Sequence, residues 1–192
     1  MPIRMTLLAA SMLLAAAASA GAVEQVMQWV EYESPDRGFA ATFPHSPETA
    51  TAQVAGLNPL TRYSFRANDG DETVYSVVVL EYPAGKGPKS SSQDLFAEMV
   101  AAYAKDSESR IRKKGSKTIA NRAGYEAIVD DKTKGKLSHL ITIVPDGDRL
   151  YMVISAGPKG HATGDAAEQF RDSFRLLSDP DPTGSTHATS VP

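Results

Sequence analysis

The 192-residue chain has no cysteine. That excludes disulfide stapling and thiolate metal centres, and it excludes a lipoprotein acylated on a cysteine behind its leader. Behind the first twenty residues, no apolar run is long enough to cross a bilayer. No internal repeat appears. There is no Gly-x-Ser-x-Gly elbow, since Ser155 stands in Ile154-Ser155-Ala156-Gly157, and no glycine-rich phosphate loop with its Lys-Ser/Thr pair. The histidines are His45, His139, His161 and His187, with no two at a metal-ligand spacing.

The sequence opens Met1-Pro2-Ile3-Arg4-Met5, runs through Leu7-Leu8 and Leu13-Leu14 into alanines, and reaches Ala18-Ser19-Ala20. One positive charge, a short apolar stretch and a small-residue site predict a secretory signal peptide over 1–20. Cleavage after Ala20 fits best, with Ala22 the alternative. Export without disulfides requires a core that holds unaided, and about 170 residues suffice for one domain. A single domain is expected over 21–178. The segment 179–192, with Pro180, Pro182 and Gly184 and no periodicity, is expected to be a disordered tail.

Two strands should be internal. Thr73 to Tyr82 places Val74, Val78, Leu80 and Tyr82 on one face and Tyr75, Val77 and Val79 on the other. Leu150 to Ala156 is apolar almost throughout, and such strands need cover on both sides. Hairpin signals lie at Pro35-Asp36-Arg37-Gly38, Asn68-Asp69-Gly70-Asp71, Asn121-Arg122-Ala123-Gly124, Thr133-Lys134-Gly135-Lys136 and Asp146-Gly147. Arg110 to Arg112 and Thr118 to Ala120 alternate weakly, as two short strands. One helix is expected after Ser91 or Ser92, with Leu95, Phe96, Met99, Val100 and Tyr103 as its stripe and a capping box from Ser91 to Asp94. A second is expected over Ala166 to Leu177, with Phe170, Phe174 and Leu177 facing the sheet. The fold class follows: α+β, a largely antiparallel sheet with a helix on each face.

Gly38-Phe39 leading to Phe43-Pro44, an aromatic opening strand, and the closing Phe170-Arg171-Asp172-Ser173-Phe174-Arg175-Leu176 resemble the PsbP-like α/β/α sandwich group. That group includes extrinsic photosystem II proteins, a nuclear Ran-binding family and many exported bacterial proteins of unassigned role. The resemblance covers most of the chain as a packing pattern. It implies the fold and carries over no functional residue.

Charge is unevenly placed. Between Val23 and Glu98 there are eleven acidic and five basic residues. Between Arg110 and Lys136 the ratio reverses, with Arg110, Arg112, Lys113, Lys114, Lys117, Arg122, Lys132, Lys134 and Lys136 against Glu126, Asp130 and Asp131. Such a run is either a solvated face or a surface for an anionic partner, and Arg110, Arg112, Lys113, Lys114 and Lys117 are the candidate binding residues. Tyr125 and Tyr151 would flank that surface or fill strand positions. Phospholipid headgroups, cell-wall polymer or an acidic protein are the expected partners; nucleic acid is not expected for an exported, net acidic chain. The turns Asp69-Gly70-Asp71-Glu72 and Asp146-Gly147-Asp148 offer too few oxygens for calcium and read as hairpins. No cofactor is expected. The leading expectation is an exported, non-enzymatic binding or accessory module, periplasmic or secreted. The alternative is an envelope hydrolase with a scattered site around His139 and a nearby carboxylate.

Overall fold

The computed structural model describes residues 29–54, 60–70, 72–89, 91–132 and 136–177. The expected signal peptide, the tail and the turn at 133–135 lie outside the described residues. A first hairpin, β1 (Val30–Ser34) and β2 (Phe39–Phe43), turns through a 3-10 turn at Pro35–Arg37 and Gly38 at φ +72°. The strands β3 (Glu48–Val54), β4 (Leu60–Asp69) and β5 (Thr73–Glu81) follow as a meander, then α1 (Gln93–Asp106). A second meander comprises β6 (Ser109–Ile119), β7 (Arg122–Asp131), β8 (Leu137–Asp146) and β9 (Arg149–Pro158). The chain closes with a 3-10 turn at His161–Thr163, α2 (Asp165–Ser173) and β10 (Arg175–Leu176).

The two meanders join into one antiparallel seven-stranded sheet in the order β3-β4-β5-β9-β8-β7-β6. Because β9 returns to pair with β5, α1 carries the chain from the middle of the sheet to its far edge. A separate three-stranded sheet, β1-β2-β10, lies beside α2. Three layers result: α1, the large sheet, and α2 with the small sheet.

Each face of the large sheet has its own core. On the α2 side Tyr75, Val77, Val79, Tyr151 and Val153 pack against Phe39, Phe43, Phe170, Phe174 and Leu176. Phe39–Phe65 and Tyr75–Phe170 meet edge-on, at 4.9 Å and 5.1 Å between centroids, and Phe39 stacks on Phe174. On the α1 side Phe96, Val100 and Ala104 lie on Val129, Ile141, Ile143 and Leu150. The two internal strands and the facing of Val78, Leu80 and Tyr82 against Tyr75, Val77 and Val79 are as expected.

Several local expectations are corrected. The last helix stops at Ser173; Phe174 is extended at φ −69°, ψ 126°, and Leu176 rather than Leu177 is buried, on β10. Pairing with β2 removes this segment from the helix while keeping its apolar side inward. On α1 the expected Phe96 and Val100 are buried with Met99 and Tyr103 packed beside them, Ala104 joins them, and Leu95 alone of the expected stripe is exposed. Ser92 is the N-cap, but its hydroxyl makes no capping bond; its carbonyl accepts from the Phe96 N–H at 3.1 Å. The two weak strands of the basic middle are one strand, β6. It turns through Ala120 and Asn121, both at positive φ, so Gly124 is a strand residue. A Cβ on Gly124 would come within 2.3 Å of the Ile143 carbonyl oxygen, and that close approach explains the glycine.

Candidate functional site

The antiparallel order puts alternate turns at the same end of the sheet. The first residues of β5, β6 and β8 and the last of β7 and β9 share one end. There, an open groove of about 870 Å³ is lined by Arg110, Arg112, Lys136 and Lys159, with Glu72, Asp130, Pro158 and Gly160. Four cations from three elements face two carboxylates. Arg112 Nε holds Asp130 Oδ2 at 2.9 Å, and Ser138 Oγ donates to the other Asp130 oxygen at 3.1 Å. The Arg112 side chain is 46% exposed, so this pair contributes about 1 kcal/mol or less and an incoming anion can displace it. Arg110, Lys136 and Lys159 are exposed and have no ion-pair partner among the described residues.

The five sequence candidates all lie on β6 but do not converge. Arg110 to Lys117 spans roughly 23 Å at about 3.3 Å per residue. Register separates them further. Lys113 stands opposite Ile128, on the α2 side, and Lys114 opposite Ala127, on the α1 side. An irregularity between Ile111 and Lys113 puts Arg112 out of the ladder and toward Asp130. Lys117 Nζ contacts Glu126 Oε2 at 2.8 Å, and Arg171 of α2 reaches the same oxygen at 3.3 Å. That triad joins α2 to the edge strands. Lys113 and Lys114 are exposed and have no ion-pair partner among the described residues. A second, smaller cavity of about 270 Å³ opens between Lys113 and Lys117 over Gly115.

Lys159 is the groove cation that reading by sequence proximity misses. It sits in the Gly157-Pro158-Lys159-Gly160 corner, far along the chain from the basic middle. The signal that finds it is parity: β6 begins, and β9 ends, at the same end of the sheet.

His139 lies on β8 beneath α1, 8% exposed, with its Nδ1 2.8 Å from the Tyr103 hydroxyl oxygen. Burial pushes its pKa down, against the pull of Asp131 and Asp130, and burial pushes the Tyr103 hydroxyl up. Its hydrogen-bond partner is a phenol, and it lines neither the groove nor the smaller cavity. Tyr125 and Tyr151 are buried on opposite faces of the sheet, so they fill strand positions. The acidic turn at 146–148 is likewise structural. Asp148 accepts from the Gly85 and Gly87 N–H groups at 2.9 and 3.1 Å, bonds that lower its pKa, and Asp146 pairs with Arg122. Elsewhere Glu81 bridges Arg37 and Arg149 while Arg37 stacks 3.6 Å from the Tyr63 ring centroid, tying the first hairpin to the large sheet. No group of three or more metal-ligating side chains occurs among the described residues.

No family model matches this chain, and no characterised protein matches it by sequence. Its three-layer arrangement does match solved structures. The solution structure of cyanobacterial PsbP (CyanoP) from Synechocystis sp. PCC 6803 superimposes with a TM-score of 0.54 at 13% identity, covering 85% of this chain and 98% of that one. The fold is PsbP-like. A crystal structure from Bacteroides thetaiotaomicron VPI-5482 matches with a TM-score of 0.42 at 15% identity, over 76% of this chain and 47% of that one. At these identities the PsbP-like likeness concerns architecture alone. Among the described residues no helix is long and apolar enough to cross a membrane.

Proposed function

We propose that this PsbP-like protein is an exported, non-enzymatic accessory module that docks an anionic envelope component or an acidic protein on the basic margin of its sheet. The observation that carries the reading is the groove, where Arg110, Arg112, Lys136 and Lys159 converge from three elements against two carboxylates. Like charges held together repel one another, and a bound anion relieves that repulsion. The sequence adds the leader-like first twenty residues, which support export. The burial of His139 against Tyr103 supports a structural role for the one histidine that the hydrolase alternative required.

Binding to anionic vesicles, cell-wall polymer and polyglutamate at low and high salt tests this. Exposed charges are screened as the Debye length contracts from about 10 Å at 0.1 M to about 3 Å at 1 M, so at least one bait should bind at low salt and release at high salt. The pairs Arg110→Glu/Lys136→Glu and Lys113→Glu/Lys114→Glu should weaken that binding and leave the melting temperature nearly unchanged. Salt-insensitive binding, or no binding to any bait, would contradict the proposal.

A further inference from the structure

We propose that the outer edge of β6 accepts one more strand from a partner, an extended polypeptide segment with acidic side chains at alternate positions. The inference rests on the reading of the basic margin as a docking surface, and commits it to a protein ligand.

β6 is the longest strand of the sheet at 11 residues, it is an edge, and among the described residues it pairs with β7 alone. Every second residue of such a strand directs its N–H and C=O outward, a ready template for pairing. The opposite edge, β3, has 7 residues. Beyond the irregularity at Ile111/Lys113, the register from Lys113 to Ile119 is unbroken. That is long enough to pair with a peptide.

Gly115 sits in the middle of this stretch. Its φ is outside the left-handed region, and a Cβ there would meet nothing within 4 Å. The fold itself therefore has no need of glycine, which weakens a strand interior. Glycine in a strand also marks a place where another backbone comes close. Here its missing side chain leaves the cavity between Lys113 and Lys117 open along the strand.

Charge selects the occupant. An added strand alternates its side chains between the two faces of the sheet, meeting Lys113 on the α2 side and Lys114 on the α1 side. Acidic side chains at alternate positions all lie on one face of the added strand, and on the α2 side they meet Lys113 and, with Gly115 between, Lys117. The same lysines repel a second β6, which keeps an edge this long from joining its own kind. The β3 edge of another copy, Glu48 to Val54, carries a single carboxylate at its end and is poorly matched. Main-chain pairing would supply the affinity and the lysines the selection.

The test titrates the full-length secreted protein with three probes: a peptide of about twelve residues alternating Glu and Thr, a peptide of equal charge interrupted by prolines, and inorganic polyphosphate. Binding is followed by affinity and by amide hydrogen exchange. The alternating peptide should bind at least about tenfold more tightly than the interrupted one, and protect alternate amides between Lys113 and Ile119. Gly115→Val should fold with a raised denaturation midpoint, yet lose at least about tenfold in affinity for that peptide. Equal binding of all three probes without amide protection would overturn strand addition while leaving the anionic docking reading intact. Binding of none overturns both. Unchanged affinity in Gly115→Val would overturn the role given to the gap and, with it, the placement of the added strand.

Discussion

Gly115 and Gly124 lie on neighbouring strands and answer opposite requirements. At Gly124 a Cβ would sit 2.3 Å from a backbone carbonyl oxygen, which cannot move without shifting β8. Gly124→Ala should therefore cost about 1–3 kcal/mol in urea denaturation, as overpacking does. Gly115→Ala meets open space and should be neutral or stabilising by roughly 0.5–1 kcal/mol. Equal effects at the two sites would contradict this account of the glycines. The histidines give a pH dependence. Burial drives His139 and His161 below the ordinary value of 6.5, opposed by Asp131 and Asp130 for the first and by Asp69 for the second. The unfolded chain then takes up protons near 6.5, while the folded chain takes them up only at lower pH. Their contribution is complete above about pH 6.5 and is lost as pH falls through the folded values. The melting temperature should thus be lower at about pH 5.5 than at about pH 7.5, and His139→Asn should flatten the slope in part, since His161 remains. A melting temperature that rises on acidification would reverse the sign and refute the argument.

The internal strands were legible because burial on both faces leaves a continuous apolar run, as in Thr73 to Tyr82 and Leu150 to Ala156. Turn residues likewise located Gly38, Gly70 and Gly147, each at positive φ. The end of α2 was not legible. Phe170, Phe174 and Leu177 fit a helical period, and only pairing with β2, a strand more than a hundred residues earlier, converts Arg175 and Leu176 to β10. β6 reads as two fragments in the sequence because an exposed edge strand with a register irregularity and a central glycine has little apolar alternation to detect. This closing segment is nonetheless where the core is completed. Truncation after Gln169 removes Phe170, Phe174 and Leu176, each worth about 1.5–3 kcal/mol when buried, against a total stability of about 5–15 kcal/mol. The truncated chain should fail to give a cooperative melt, whereas a chain ending at Leu177, whose N–H donates to the Gly38 carbonyl at 3.0 Å, should melt like the full chain. Circular dichroism melts of the two distinguish the outcomes, and equal stability would remove the closing segment from the core.

For the whole molecule, the sequence could reveal a basic middle but not its shape. Arg110, Arg112, Lys113, Lys114 and Lys117 are contiguous in the chain, and a strand spreads them along its length and over both faces. The groove instead gathers residues from β6, the approach to β8 and the end of β9, which only the sheet order brings together. On the proposed reading this margin, and no other surface, takes the anionic partner. The most direct measurement is a residue-by-residue NMR titration of the protein with polyglutamate in low salt. The shifted amides should cluster at Arg110, Arg112, Lys113, Lys136 and Lys159, and the shifts should vanish in high salt and in Arg110→Glu/Lys136→Glu. Shifts scattered over the surface, or centred on another part of the sheet and kept in the double variant, would contradict it.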